Sequence, residues 1–182
     1  TAVQLAAQLA EQMGAGSGDG ALPAARPVEL LVAGRVPTEL QRRWERYLLS
    51  RAPQARLLWT GLVARQAIPA LDRSAHLLYS ADINAACPNA VIEALACGLP
   101  VLSFATGALP EMVTADSGRV VPYGGDPWKL ETPNVDSLVQ GAFGIIQAGE
   151  RLRRGARQRA EQVFDLEQMI ESYLDVLVGG RA

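Results

Sequence analysis

Residues 82–111 read DINAACPNAVIEALACGLPVLSFATGALPE, and this stretch constrains the fold more than any other. A polar loop runs into a helix, the helix into an apolar strand, and the strand into a Gly-Pro turn. Pro88 suits a first helical position, where a missing N–H costs nothing. Asn89 offers a side-chain oxygen in the same turn. Val91, Ile92, Leu95 and Ala96 are apolar on adjoining faces, which predicts a well buried helix. Gly98 stands where a helix takes its left-handed terminating residue, and Pro100 prevents the helix from resuming. PVLSFA is apolar without alternation, the pattern of a parallel strand buried on both faces.

Glu93 conflicts with that helix. A buried, unpaired carboxylate costs several kcal/mol, so Glu93 either has a structural partner or faces a cleft. The helix start one turn away presents free N–H groups and about half a positive charge, a seat for phosphate. Phosphate there and a carboxylate one turn along would suit a nucleotide, the carboxylate accepting from both ribose hydroxyls. Capping or a salt bridge would explain the same residue, and spacing alone leaves both readings open.

CPNAVIEALACGLPVLSFATGALPEMV resembles the donor-binding segment of group 1 (family 4) glycosyltransferases of the GT-B fold. That family shows an acidic residue, seven residues, then Glu, within a helix ending Glu-Ala-Met/Leu-Ala-Cys/Ser-Gly. A Pro-Val-hydrophobic strand and Gly-Gly-x-Pro-Glu follow. The match is ungapped, and a weaker resemblance extends from Val28 to about Leu177. It implies that Glu93 binds the nucleotide ribose. The first acidic position is occupied by Ala85, and Gly107-Ala108 stands where Gly-Gly is frequent. The resemblance also implies that Pro88, Asn89, Ala90 and Val91 at the helix start, with Thr106, Gly107 and Ala108, hold the donor diphosphate. It places the base at the loop after the second strand, Gly61 to Val63, with Gly61 and Leu62 foremost.

The chain has 182 residues, of which 49% are hydrophobic and 20% charged, enough for one globular core. A net charge of −2 makes no electrostatic case for nucleic acid or an anionic membrane, and aromatics at 5% argue against base-stacking platforms. Cys87 and Cys97 flank the helix without metal-ligand spacing, which favours a reducing, cytoplasmic compartment. No carboxylate cluster for a metal, signal peptide or membrane-spanning run is read. The chain starts at Thr1, without Met, and reads as part of a longer polypeptide.

Leu5, Leu9 and Met13 mark an amphipathic helix over residues 2–13, and Gly14 to Pro27 reads as a flexible connection. VELLVAG (28–34), ARLLWTG (55–61) and AHLLYS (75–80) read as buried strands. Thr38 with Gln41 predicts a capping box opening the helix between the first two strands. A short helix from Ala67 to Ser74 follows the second strand. Gly34 is read only as a strand end. GRVVPY (118–123) is the last strand, after which Trp128 is expected to pin the loop GGDPWKLETP. Asn134 caps a helix to about Ala148. Arg151, Arg153, Arg154, Arg157 and Arg159 on a helix over 150–163 read as a solvated face, and Asp165 with Gln168 opens the last helix. His76 reads as a partly buried structural histidine and Cys87 as structural or part of a phosphate loop.

These alternations predict an α/β fold, a doubly wound parallel sheet with right-handed crossovers, in one domain spanning residues 1–182. By resemblance it is the Rossmann-like C-terminal half of a GT-B enzyme without its first strand, and the acceptor domain is missing. The implied function is the donor domain of a retaining glycosyltransferase, moving a sugar from a nucleotide-diphosphate sugar to an acceptor hydroxyl with no further cofactor. Ala85 motivates a second reading, a binding module without turnover. A third, a sugar-nucleotide epimerase, would need acid–base residues that are not found. Without its opening strand the sheet must gap or close up, so the isolated chain is expected to be weakly stable and inactive.

Overall fold

A computed structural model describes residues 1–15 and 27–179; the connection read between Gly14 and Pro27 lies largely outside the described residues. The helix after Pro88 ends as its sequence dictates. It runs over Asn89–Ala96 (α4), and Gly98 adopts φ +69°. Gly98 N–H donates to Leu95 C=O and Leu99 N–H to Ala94 C=O, the paired bonds of a Schellman motif. The chain then enters Val101–Phe104 (β4), where every residue is buried. The helix begins one residue later than predicted: Pro88 is the extended residue before it, and no side chain caps it.

The other elements follow the predicted order. They are Ala2–Ala15 (α1), Glu29–Ala33 (β1), Thr38–Arg51 (α2), Arg56–Gly61 (β2), Ile68–Ser74 (α3) and Leu78–Tyr79 (β3). Beyond β4 come Leu109–Met112 (α5), Gly118–Val121 (β5), Val135–Ala148 (α6), Glu150–Val163 (α7) and Leu166–Leu177 (α8). All strand pairs within the sheets are parallel, but the sheet is in two pieces: β1 pairs with β2, and β4 lies between β3 and β5. Read across, the order is that of a doubly wound sheet whose central strand is absent among the described residues.

Helix α1 straddles the two pieces. Leu5 and Leu9 pack with Leu102, Phe104 and Tyr123 of the three-stranded half. Val3, Ala7 and Ala10 pack with Leu48 and Ala52, against which Leu30 and Leu57 of β1 and β2 also lie. One face of the two-stranded piece is thus covered and the other is open, with Leu31 39% and Leu58 42% exposed. The expectation that these two strands are buried is corrected: exposure alternates along them because helices cover only one side. Strand β3, read as six residues, pairs over two.

Three further expectations change. Thr38 does not cap α2; Pro37 precedes the helix, and the Gln41 carboxamide donates instead to the Val36 carbonyl at 2.8 Å. Trp128 is 80% exposed and pins nothing. Its loop is held by the Tyr123 hydroxyl donating to Glu131 C=O and by the Glu131 carboxylate accepting from Asp126 N–H. The arginines of α7 are not simply a solvated face. Arg153 donates to the carbonyls of Ala75 and Arg73, Arg157 to that of Ala96, and Arg159 to those of Met112 and Glu111. These carbonyls lie at the ends of α3, α4 and α5, where helices leave acceptors unsatisfied. The predicted caps of the last long helices hold: Asn134 accepts from Ser137 N–H, and Asp165 from Gln168 N–H. The apolar stripe of α8, including Leu166, Met169, Ile170, Tyr173 and Leu174, is exposed.

Two helical glycines separate backbone propensity from packing. A Cβ on Gly144 of α6 would come no nearer than 3.5 Å to Arg119 Nε, whereas one on Gly155 of α7 would lie 1.9 Å from the Asp116 carbonyl oxygen. Gly144→Ala should therefore stabilise by up to about 1 kcal/mol. Gly155→Ala should destabilise by about 1–3 kcal/mol, because the clash is with backbone and outweighs the propensity gain. Urea unfolding of both variants measures the two signs.

Candidate functional site

Ser80, buried at the end of β3, leads into the loop 82–88. Asn84 takes φ +59°, and its N–H points at Thr106 Oγ1, 3.5 Å away. Across from it, the turn after β4 brings up Thr106, Gly107 and Ala108. Ala108 N–H donates to Ala85 C=O at 2.9 Å. A Cβ on Gly107 would lie 2.4 Å from the Ala85 oxygen and 2.7 Å from its nitrogen, so only glycine lets the two backbones meet. Ala85, Thr106, Gly107 and Ala108 are thus joined directly.

The chain then passes Cys87, exposed and free, and the buried Pro88 into α4. Asn89 and Ala90 are exposed at the helix start, and no side chain occupies their amides. Val91 N–H folds back to Pro88 C=O, while the Val91 side chain is fully buried beside Leu95. This is an open helix start with donors free and the positive end of the peptide dipoles behind them.

Glu93 lies one turn on, and its side chain is exposed with no hydrogen bond or ion pair among the described residues. The structural-partner reading therefore fails. Its charge opposes that of Asp72. Burial first, and the charge of Glu93 second, push the Asp72 carboxyl on α3 above its ordinary value, against an opposing pull from Arg73. Burial also raises the Cys97 thiol, so that cysteine is not an activated one. His76 is exposed rather than partly buried, and has no hydrogen-bond or ion-pair partner among the described residues.

Gly61 and Leu62 stand apart from this group, on the two-stranded piece. Gly61 C=O accepts from Gly34 N–H at 2.8 Å. Beside that bond is an open hollow of about 500 Å³ lined by Gly34, Arg35, Val36, Pro37, Gln41 and Gly61. Leu62 is 68% exposed next to it. Gly34, read only as a strand end, also lines this hollow, and Arg35 was not singled out at all. Its guanidinium is exposed and, among the described residues, unpaired. The signal available for both was position: they follow a strand at its carboxyl end, where open α/β sheets bind ligands. Among the described residues no cluster of His, Cys, Asp or Glu could hold a metal ion, and no helix is long and apolar enough to cross a membrane.

Comparison with known proteins agrees with this architecture. The chain is 28% identical over 149 residues to a GDP-mannose-dependent alpha-(1-6)-phosphatidylinositol dimannoside mannosyltransferase of Mycobacterium tuberculosis, covering 81% of this chain and 35% of that protein. It therefore spans about a third of the length of this relative. Among solved structures, a glycosyltransferase from Rickettsia africae superposes with a TM-score of 0.66 at 16% identity, over 97% of this chain and 44% of that one. Anabaena HepE in complex with UDP superposes with a TM-score of 0.64 at 18% identity, over 96% and 44% respectively. These likenesses establish a GT-B Rossmann-like fold. Residues 20–133, more than half of the chain, match the family described as glycosyl transferases group 1, and the chain belongs to that family.

Proposed function

We propose that this chain is the nucleotide-sugar-binding half of a retaining glycosyltransferase, which transfers a hexose to an acceptor hydroxyl when joined to an acceptor-binding half. The observation that carries the reading is Glu93. It is an exposed, unpaired carboxylate one turn into a helix whose first amides are open. In this reading Glu93 accepts from the ribose hydroxyls. The diphosphate sits against the amides of Asn89 and Ala90 and the backbone around Gly107, and the base lies by Gly61 and Leu62. Donors fixed before the reaction stabilise the charge that develops as the sugar–phosphate bond breaks, without reorganising. The Anabaena neighbour is described in complex with UDP, and the mycobacterial relative as GDP-mannose-dependent. Both are nucleotide diphosphates or their sugars, which is the ligand class proposed here. The cytoplasm, where such donors are made, is the proposed compartment.

The binding-only alternative rests on Ala85. Its backbone is clamped on Gly107 and Ala108, so the loop is formed, yet the side chain at that position carries no acid.

Glu93→Gln should weaken nucleotide binding by about 1.5–3 kcal/mol, the range for a hydrogen bond to a charged group, and leave folding intact. Calorimetry with UDP, GDP and ADP, on the chain joined to its acceptor-binding half, reads this directly. Unchanged affinity for every nucleotide that binds rules out the ribose role.

Ala85→Glu should raise donor hydrolysis or transfer if the protein is an impaired enzyme. Brisk turnover of a donor by the wild-type protein instead shows the acid to be dispensable and removes the binding-only reading. Residues 1–182 alone should show negligible transfer, since the proposed cleft needs a second wall; sugar transfer by the purified chain overturns that.

A further inference from the structure

The hollow at the carboxyl ends of β1 and β2 bears on which base the donor contains, and this rests on the reading that sets the base by Gly61. It measures about 500 Å³, within the range of small-molecule sites, and is lined by Gly34, Arg35, Val36, Pro37, Gln41 and Gly61. Two glycines meet on its wall, where Gly34 N–H donates to Gly61 C=O at 2.8 Å. A Cβ on either would meet nothing within 4 Å, so no side chain fills the space beside that bond. Apolar groups flank it: Val36 and Pro37 line it, and Leu62 stands next to it, 68% exposed. Such surfaces suit the face of a flat ring.

Two side chains supply polarity, in opposite senses. Arg35 is exposed and, among the described residues, unpaired, and its guanidinium offers donors only, in a planar fork. No carboxylate lines the hollow to hold it. Gln41 is the reverse. Its Nε2 donates to the Val36 carbonyl at 2.8 Å, a contact only the amide nitrogen can make, so Oε1 is the atom left to accept. The bases differ in how they meet this pair. Guanine presents two neighbouring acceptors, N7 and O6, and carries donors at N1–H and its exocyclic amino group. Adenine sets an amino donor beside N7, which would turn on the donors of the guanidinium. Uracil has no N7, so the fork finds a single acceptor.

We propose that this hollow is a guanine pocket. The Arg35 fork donates to N7 and O6, Gln41 Oε1 accepts from the exocyclic amino group, and the ring lies by the Gly34–Gly61 bond with Leu62 beside it. The donor is then a guanosine-diphosphate sugar, and Arg35 is the residue that determines its base.

Calorimetry on the chain joined to its acceptor-binding half tests the pocket. The probes are GDP, UDP, ADP and the deaza analogue of GDP that has carbon in place of N7. The wild-type protein should bind GDP at least roughly tenfold more tightly than any of the others, the discrimination expected of a bidentate arginine contact. Arg35→Ala should lower GDP affinity by at least roughly tenfold, leave UDP within about threefold, and abolish the difference between GDP and its deaza analogue. Arg35→Lys keeps the charge without the fork and should not restore that difference. Inosine diphosphate, which lacks the exocyclic amino group, should bind the wild-type protein at least roughly threefold more weakly than GDP, and Gln41→Ala should remove that gap. UDP or ADP bound as tightly as GDP overturns the proposal. So does an equal loss of GDP and UDP in Arg35→Ala, or full rescue by Arg35→Lys, since either assigns Arg35 to the phosphates. Glu93→Gln keeps the two readings apart. Ribose is common to every probe, so a uniform loss in that variant without base discrimination sinks the guanine pocket alone, whereas failure of every nucleotide to bind overturns both.

Discussion

The contact on which the site depends is that of two backbones, Ala85 on Gly107. No side chain fits between them: a Cβ on Gly107 would lie 2.4 Å from the Ala85 oxygen. The contact fixes the end of the loop after β3 against the turn after β4, and the Ala108–Ala85 hydrogen bond locks their register. Since α4 begins only a few residues after Ala85, the direction in which its free amides point is set by the same contact. A site for an anionic ligand built this way needs no cationic side chain to hold its shape.

The back of the site is held by different physics. Helix α4 packs on α7, with Val91, Ala94 and Leu95 meeting Ala156 and Ala160 in one buried cluster. Small residues on α7 let the helices approach closely, and the arginines between them reach round to the exposed carbonyls that end α3, α4 and α5. Charge-assisted bonds to backbone carbonyls are among the stronger hydrogen bonds available at a surface. They also satisfy the last carbonyls of three separate helices, which a generic salt bridge would not.

The elements read correctly from sequence were those whose signals are local. Gly98 and Pro100 stop a helix whatever surrounds them, and Asn134 and Asp165 cap because a short oxygen-bearing side chain suits that position. The failures depended on what lies across space. VELLVAG and ARLLWTG have the apolar run of buried strands, but burial on both faces requires a second cover, and among the described residues Leu31 and Leu58 have none. Thr38 with Gln41 has the spacing of a capping box, yet Pro37 holds the entry and Gln41 turns to Val36. The α7 arginines looked solvated because their partners are carbonyls some 40 to 80 residues away in sequence, invisible to any periodicity. Glu93 was legible as an anomaly, a carboxylate on an otherwise apolar helix, and among the described residues it has no partner. Arg35 was not legible, since an arginine after a strand is unremarkable until the hollow beside it is known.

The division of the sheet gives the candidate site an unusual dependence. Gly61 and its hollow belong to the two-stranded half, whereas α4 and Gly107 belong to the three-stranded half. Helix α1 packs on both halves, but among the described residues no backbone hydrogen bond of the sheet crosses between them. Open α/β sheets bind ligands where the strand order reverses, which here is the break itself. A nucleotide lying with its base at Gly61 and its phosphates at α4 would therefore span the break. It would stabilise the arrangement of the halves by the linkage relation RT ln(1 + [L]/Kd), about 2.7 kcal/mol at a hundredfold excess over Kd. The converse also holds. Whatever fixes the halves in the binding arrangement beforehand removes an ordering cost from the ligand and raises its affinity by the same factor. For a nucleotide bound in that way, sheet continuity and affinity would be two measures of one equilibrium.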